Sequence, residues 1–140
     1  MPERTHLKGA RILVVEDEAL VAELAAEMLK DLGCVPLGPA HTVDAALAVI
    51  NNGEKIDCAA LDVRLNSEIS GLVADALMLN DIPFVVCSAY TITLFDNRHI
   101  PIVGKPYTRE QLKEGLERAL GLFPDTDASA QNQQLGAICR

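Results

Sequence analysis

Short β-branched apolar runs alternate along this chain with stretches of helical period. Residues 11–15, Arg-Ile-Leu-Val-Val, stop at three consecutive acids, Glu16, Asp17 and Glu18, the pattern of a buried strand with a charged end. Apolar residues then recur at Leu20, Val21, Leu24, Ala25, Met28, Leu29 and Leu32, which predicts a helix with Gly33 as its stop. The unit repeats with a strand near 34–38 and a helix near 42–51, whose inward face is Val43, Ala46, Leu47 and Ile50 and which Asn52-Gly53 closes. A third apolar strand covers Ile56 to Val63 with Asp62 at its end. A polar loop through Asn66, Ser67, Glu68 and Ser70 follows, then Gly71 and a helix over roughly 71–80. Residues 82–87 give a fourth strand and Ile100 to Val103 a short fifth, with only weak helical periodicity between them. The last helix starts at Thr108, where Gln111 completes a capping box, and stops at Gly121.

Five strands alternating with four or five helices make an α/β fold, a parallel sheet covered by helices on both faces. The chain divides into an N-terminal extension over 1–8, one domain over 9–123 and a flexible C-terminal tail over 124–140, a stretch poor in core-forming residues. At 140 residues there is room for one core and no second domain. Hydrophobic residues are 49% of the chain and aromatics 4%, so the core is aliphatic and a base-stacking surface is not expected. A net charge of −8 opposes attraction to nucleic acid and anionic lipid, which excludes both as direct partners. The polar start, Met-Pro-Glu-Arg-Thr-His, and the lack of any apolar run near ~20 residues predict a cytoplasmic protein. Cys34, Cys58, Cys87 and Cys139 are scattered without metal-ligand spacing, and Cys58 and Cys87 read as buried thiols.

In an open parallel sheet the carboxyl ends of the strands line one rim, where ligands bind. The first strand ends at Glu16-Asp17, the third at Asp62, the fourth at Ser88 and the fifth at Lys105. Any one of these has an ordinary explanation as a cap, a turn residue or a solvated charge. Together they converge as a chemical set. Two unit charges at 4 Å repel by roughly 4 kcal/mol at an effective dielectric near 20, and a divalent cation removes that cost. Mg²⁺ prefers hard oxygen ligands and typically binds one or two carboxylates plus a phosphate, which matches Glu16, Asp17 and Asp62. An Asp carboxylate is a competent nucleophile toward phosphorus. Lys105 and the metal would then neutralise the transferred group, and the Ser88 hydroxyl would bond a phosphoryl oxygen.

The order Val-Val-Glu-Asp-Glu, Ala-Leu-Asp-Val-Arg-Leu, Val-Cys-Ser-Ala and Gly-Lys-Pro-Tyr resembles the response-regulator receiver family over about residues 9–122. The resemblance implies a flavodoxin-like strand order 2-1-3-4-5 and a stand-alone receiver phosphorylated on Asp62, with self-catalysed phosphoryl transfer and no separate enzyme activity. By it Glu16 and Asp17 match the acidic metal pair, Ser88 the hydroxyl position and Lys105 the phosphate-pairing lysine. The resemblance also implies that the backbone carbonyl of Arg64 is a further Mg²⁺ ligand and that the Lys105-Pro106 peptide is cis. A sensor histidine kinase or phosphotransfer protein would supply the phosphoryl group, and a downstream protein partner would read it. Two positions depart from the family pattern. Ile102 stands where an aromatic switch residue is usual, and the stretch from Ser88 to Lys105 is short, so the fourth helix is expected to be reduced or missing. Pro83 to Tyr90 resembles a Pro-Phe-x-Phe-Ala-Thr-Gly-Tyr subgroup of single-domain receivers, with differences at Val86, Cys87, Ser88 and Ala89. Three rivals are weaker. A haloacid dehalogenase-type phosphatase wants an Asp where Arg64 stands, and a nucleotide- or flavin-binding module lacks both GxGxxG and GxxxxGK[ST]. A receiver-like module that docks without taking phosphate would not need the complete acid, hydroxyl and lysine set.

Overall fold

The computed structural model describes residues 6–62, 64–65, 68–69, 71–88 and 100–122. The backbone runs β1 (Arg11–Val15), α1 (Ala19–Asp31), β2 (Val35–Ala40), α2 (Val43–Asn51), β3 (Cys58–Asp62), α3 (Gly71–Leu79), β4 (Phe84–Ser88), β5 (Ile102–Gly104) and α4 (Arg109–Leu120). All pairings in the main sheet are parallel, in the order β2-β1-β3-β4-β5, which is the flavodoxin-like order. Strand alternation then splits the core into two layers. Leu13, Val15, Ala59, Leu61 and Val86 face α2 and α3, while Ile12, Val14, Cys58, Ala60, Val85 and Val103 face α1 and α4. Ile12, Leu13, Leu61, Leu77, Leu112 and Leu116 are fully buried, and each such side chain contributes roughly 1.5–3 kcal/mol relative to exposure.

Local chemistry sets most element ends. Thr42 caps α2 by accepting from the Ala45 N–H at 3.0 Å. Thr108 and Gln111 form the reciprocal capping box of α4, and Gly121 ends that helix at φ 74°, a left-handed conformation that suits glycine. Pro36 and Pro39 are tolerated in β2 because it is the outer strand of the sheet.

Several expectations shift. The third strand enters the ladder at Cys58 rather than Ile56. Just ahead of it Asp57 is tied to β1, its carboxylate accepting from the Arg11 N–H at 2.8 Å. The loop expected after Asp62 contains a two-stranded antiparallel ladder, Arg64 with Ile69 and Leu65 with Glu68. Ile100 is buried but precedes the fifth strand, whose neighbour Pro101 has no N–H to pair. The apolar period of α1 is wider than the surface available to cover it. Ala22, Ala25 and Leu29 are buried, yet Leu20 and Leu24 are exposed. Leu7, ahead of β1, is buried, and its carbonyl accepts from the Ala10 N–H at 2.8 Å. Four helices are present among the described residues, and none is long and apolar enough to cross a membrane. The reduced fourth helix, the Ala89-Tyr90 end of the Pro-Phe motif and the 124–140 tail lie outside the described residues.

Candidate functional site

The strand order brings the ends of β1, β3, β4 and β5 to one rim. β1 delivers Glu16 and Asp17, and β3 ends in Asp62, whose register partner on β4 is Cys87. Ser88 follows at the end of β4, opposite Gly104, and Lys105 leaves β5 with its backbone N–H donated to the Ser88 carbonyl at 2.7 Å. Carboxylate oxygens of Glu16, Asp17 and Asp62 all lie within 4.8 Å of one another. Lys105 Nζ reaches across them, 2.6 Å from Glu16 Oε1 and 3.2 Å from Asp62 Oδ1. The Lys105-Pro106 peptide is cis.

Burial makes these charges matter. Glu16 and Ser88 are buried at 4% exposure each. The second carboxylate oxygen of Glu16 accepts from the Glu18 N–H at 3.2 Å. The Asp62 carboxyl is pushed up to about 6, first by burial, with Lys105 opposing the rise and nearby Glu16 adding to it. Burial works against the charge of Lys105, but its hydrogen bond to Glu16 and the fields of Asp62 and Glu16 outweigh that and hold the ammonium above its ordinary value. Cys87, beneath the site, is pushed up to about 12 by burial and is an inert thiol; Cys58 is likewise raised to about 12. Among the described residues, three carboxylates and one ammonium meet here. Hard oxygen donors this close suit a divalent cation of the Mg²⁺ type.

Of the residues singled out in the sequence, Glu16, Asp17, Asp62 and Lys105 come together directly. Ser88 stands one residue beyond the register partner of Asp62. Arg64 begins the short ladder beyond β3, two residues past Asp62. Sequence reasoning missed His41, whose Nδ1 is 2.9 Å from the Glu16 carbonyl oxygen. Its signal was present, because β2 also ends on this rim and Ala40 accepts from the Glu16 N–H at 2.9 Å. Tyr107 was also passed over; burial raises its phenol above the ordinary value, and it packs on the α1–α4 layer.

No family model matches the chain. Among solved structures, SdrG from Sphingomonas melonis Fr1 is 38% identical, with a TM-score of 0.70 over 80% of this chain and 97% of that one. The receiver domain of the hybrid histidine kinase CckA is 26% identical, with a TM-score of 0.66 over 79% of this chain and 99% of that one. The sensor protein TorS of Escherichia coli K12 is 26% identical over 95% of this chain, which spans only 15% of that protein's length. With parallel strand order, rim chemistry and a relative aligned over nearly its whole length all in agreement, the chain belongs to the response-regulator receiver family.

Proposed function

We propose that this receiver accepts a phosphoryl group on Asp62, in a Mg²⁺-dependent reaction, from a sensor histidine kinase or phosphotransfer protein and passes the signal to a protein partner. The observation that carries the reading is the ammonium of Lys105 held at once on Glu16 and Asp62 within a cluster of three carboxylates. A bystander lysine would not be drawn into the rim between two acids.

The chemistry follows from these positions. A carboxylate oxygen of Asp62 attacks phosphorus, the O–P bond forms as the donor's P–N bond breaks, and the donor's imidazole nitrogen keeps the electron pair. Lys105 is already beside the attacking oxygen, where its charge offsets the negative charge of the incoming group. Ser88, one residue beyond the β4 partner of Asp62, would donate its hydroxyl to a phosphoryl oxygen. Glu16, Asp17, Asp62 and the Arg64 carbonyl would hold the cation, which supplies further neutralisation of the phosphoryl oxygens. The Mg²⁺ site and the kinase partner rest on the carboxylate geometry and on the relatives: TorS is a sensor protein, CckA a hybrid histidine kinase, and SdrG has a BeF3-activated conformation. Self-catalysed transfer and autodephosphorylation are the chemistry this set supports, without turnover of a separate substrate.

Incubation with acetyl phosphate and Mg²⁺, read by intact mass, tests the assignment. The wild-type chain should gain one phosphoryl group, and Asp62→Asn should gain none, because an amide does not form the acyl phosphate. Stoichiometric label on Asp62→Asn would overturn the assignment of the acceptor. A wild-type chain that takes no label would favour a module that docks without phosphate.

A further inference from the structure

Two leucines of α1 stand in solvent, Leu20 at 71% and Leu24 at 58% exposure, although the same helix is well buried through Ala22, Ala25 and Leu29. Leu24 does not face open water alone. With Val21 and Met28 it forms one wall of a groove of about 280 Å³, whose other residues are Lys105, Pro106 and Tyr107. The groove is therefore apolar, lies in the α1–α4 layer and touches the carboxylate site through Lys105.

We propose that residues 135–140, Leu-Gly-Ala-Ile-Cys-Arg, occupy this groove, with Leu135 and Ile138 seated against Leu24, Met28 and Tyr107. The residue pattern beyond α4 supports this. Pro124 to Gln134 holds two Asp, four Asn or Gln and no large aliphatic residue, and the apolar residues resume only at Leu135. A polar spacer followed by an apolar cluster is the arrangement of a tethered ligand. The reach fits as well. α4 begins two residues after Tyr107 and is 12 residues long, so it carries the chain about 18 Å from the groove. Residues 123–134 span up to about 40 Å when extended, enough to return along the helix. The sheet need not be crossed, because Leu112 and Leu116 of α4 pack in the same layer as Ala25, Leu29 and Tyr107. Charge points the same way. A second copy with a net charge of −8 would be repelled, whereas residues 135–140 carry no acidic side chain. The seated segment would lie against the α1 side of Lys105, beside the proposed phosphoacceptor. Its docking does not depend on that reading.

The native cysteines allow a direct test in the full 140-residue chain. Cys34, Cys58 and Cys87 are buried, and burial pushes the Cys58 and Cys87 thiols up to about 12, which leaves Cys139 as the partner for an introduced thiol. Leu24→Cys replaces an exposed side chain and should fold. Mild oxidation followed by non-reducing peptide mapping should find a disulfide from the introduced thiol to Cys139 within the monomer. The yield should be roughly tenfold above that of Leu79→Cys, a still more exposed site on α3 across the sheet, because seating raises the effective concentration at the groove alone. In unmodified background, Leu135→Ser with Ile138→Ser should shift the amide resonances of Val21, Leu24, Met28 and Tyr107. Absence of the intramolecular link, a link only between two chains, equal yields at both sites, or unmoved resonances would each overturn the proposal.

Discussion

At Asp62 the stability of the fold meets the proposed metal and phosphoryl chemistry. Its carboxyl is raised from an ordinary value of 3.8 to about 6, chiefly by burial. Between those values the folded chain holds a proton that the unfolded chain has released. The stability contributed by this residue is therefore fully present below about pH 4 and is lost as pH rises through about 6. A divalent cation competes with the proton for the same oxygens and favours the ionised form. Mg²⁺ should therefore raise the melting temperature more at about pH 8 than at about pH 5, as thermal melts with and without the ion would measure. An equal increment at both values would show that Asp62 is not linked to the ion. The set containing Asp62 was legible because Asp62 and Ser88 end strands and Glu16, Asp17 and Lys105 lie just beyond strand ends, which can be read from where an apolar run stops. His41 could be placed near the rim from the end of β2, but its contact with the Glu16 carbonyl depends on how far β2 runs beside β1.

The elements themselves follow from local signals where those are strong and drift where packing decides. Thr108, Gln111 and Gly121 fixed α4 in advance because capping is a matter of a few neighbouring residues. The exposure of Leu20 and Leu24 was not legible, since a helical period marks an apolar stripe without saying how much surface stands ready to cover it. Gly115 is another case that only packing explains. In sequence it is an unfavourable residue in a helix interior; in the fold it is buried, and an added Cβ would fall 2.6 Å from Val103 Cγ2 on β5. Gly115→Ala should therefore destabilise by about 1–3 kcal/mol despite its better helix propensity. Because β5 leads directly into Lys105, the same change should slow phosphorylation by acetyl phosphate. Val103→Ala relieves the clash, so the double variant should be more stable than the two separate losses summed, as chemical denaturation of the four proteins would reveal. Strict additivity would mean that α4 moves away from β5 at no cost.

For the molecule as a whole, two electrostatic effects of the same sign must be separated. A net charge of −8 means that any salt screens self-repulsion and raises stability to some degree. The three-carboxylate cluster adds a local effect that screening by monovalent ions cannot supply, because its oxygens lie within 4.8 Å of one another, with Glu16 buried and Asp17 and Asp62 partly so. Mg²⁺ at about ten times its dissociation constant should stabilise the fold by about 1.4 kcal/mol, beyond what NaCl gives at matched ionic strength. Asp17→Ala should abolish that excess while retaining the NaCl response, and with one carboxylate fewer at the rim the ion-free variant should be no less stable than the parent. Differential scanning calorimetry of both proteins in the two salts resolves the effects. If NaCl reproduced the whole Mg²⁺ increment in the parent chain, the stabilisation would belong to the overall charge and not to the rim formed by Glu16, Asp17 and Asp62.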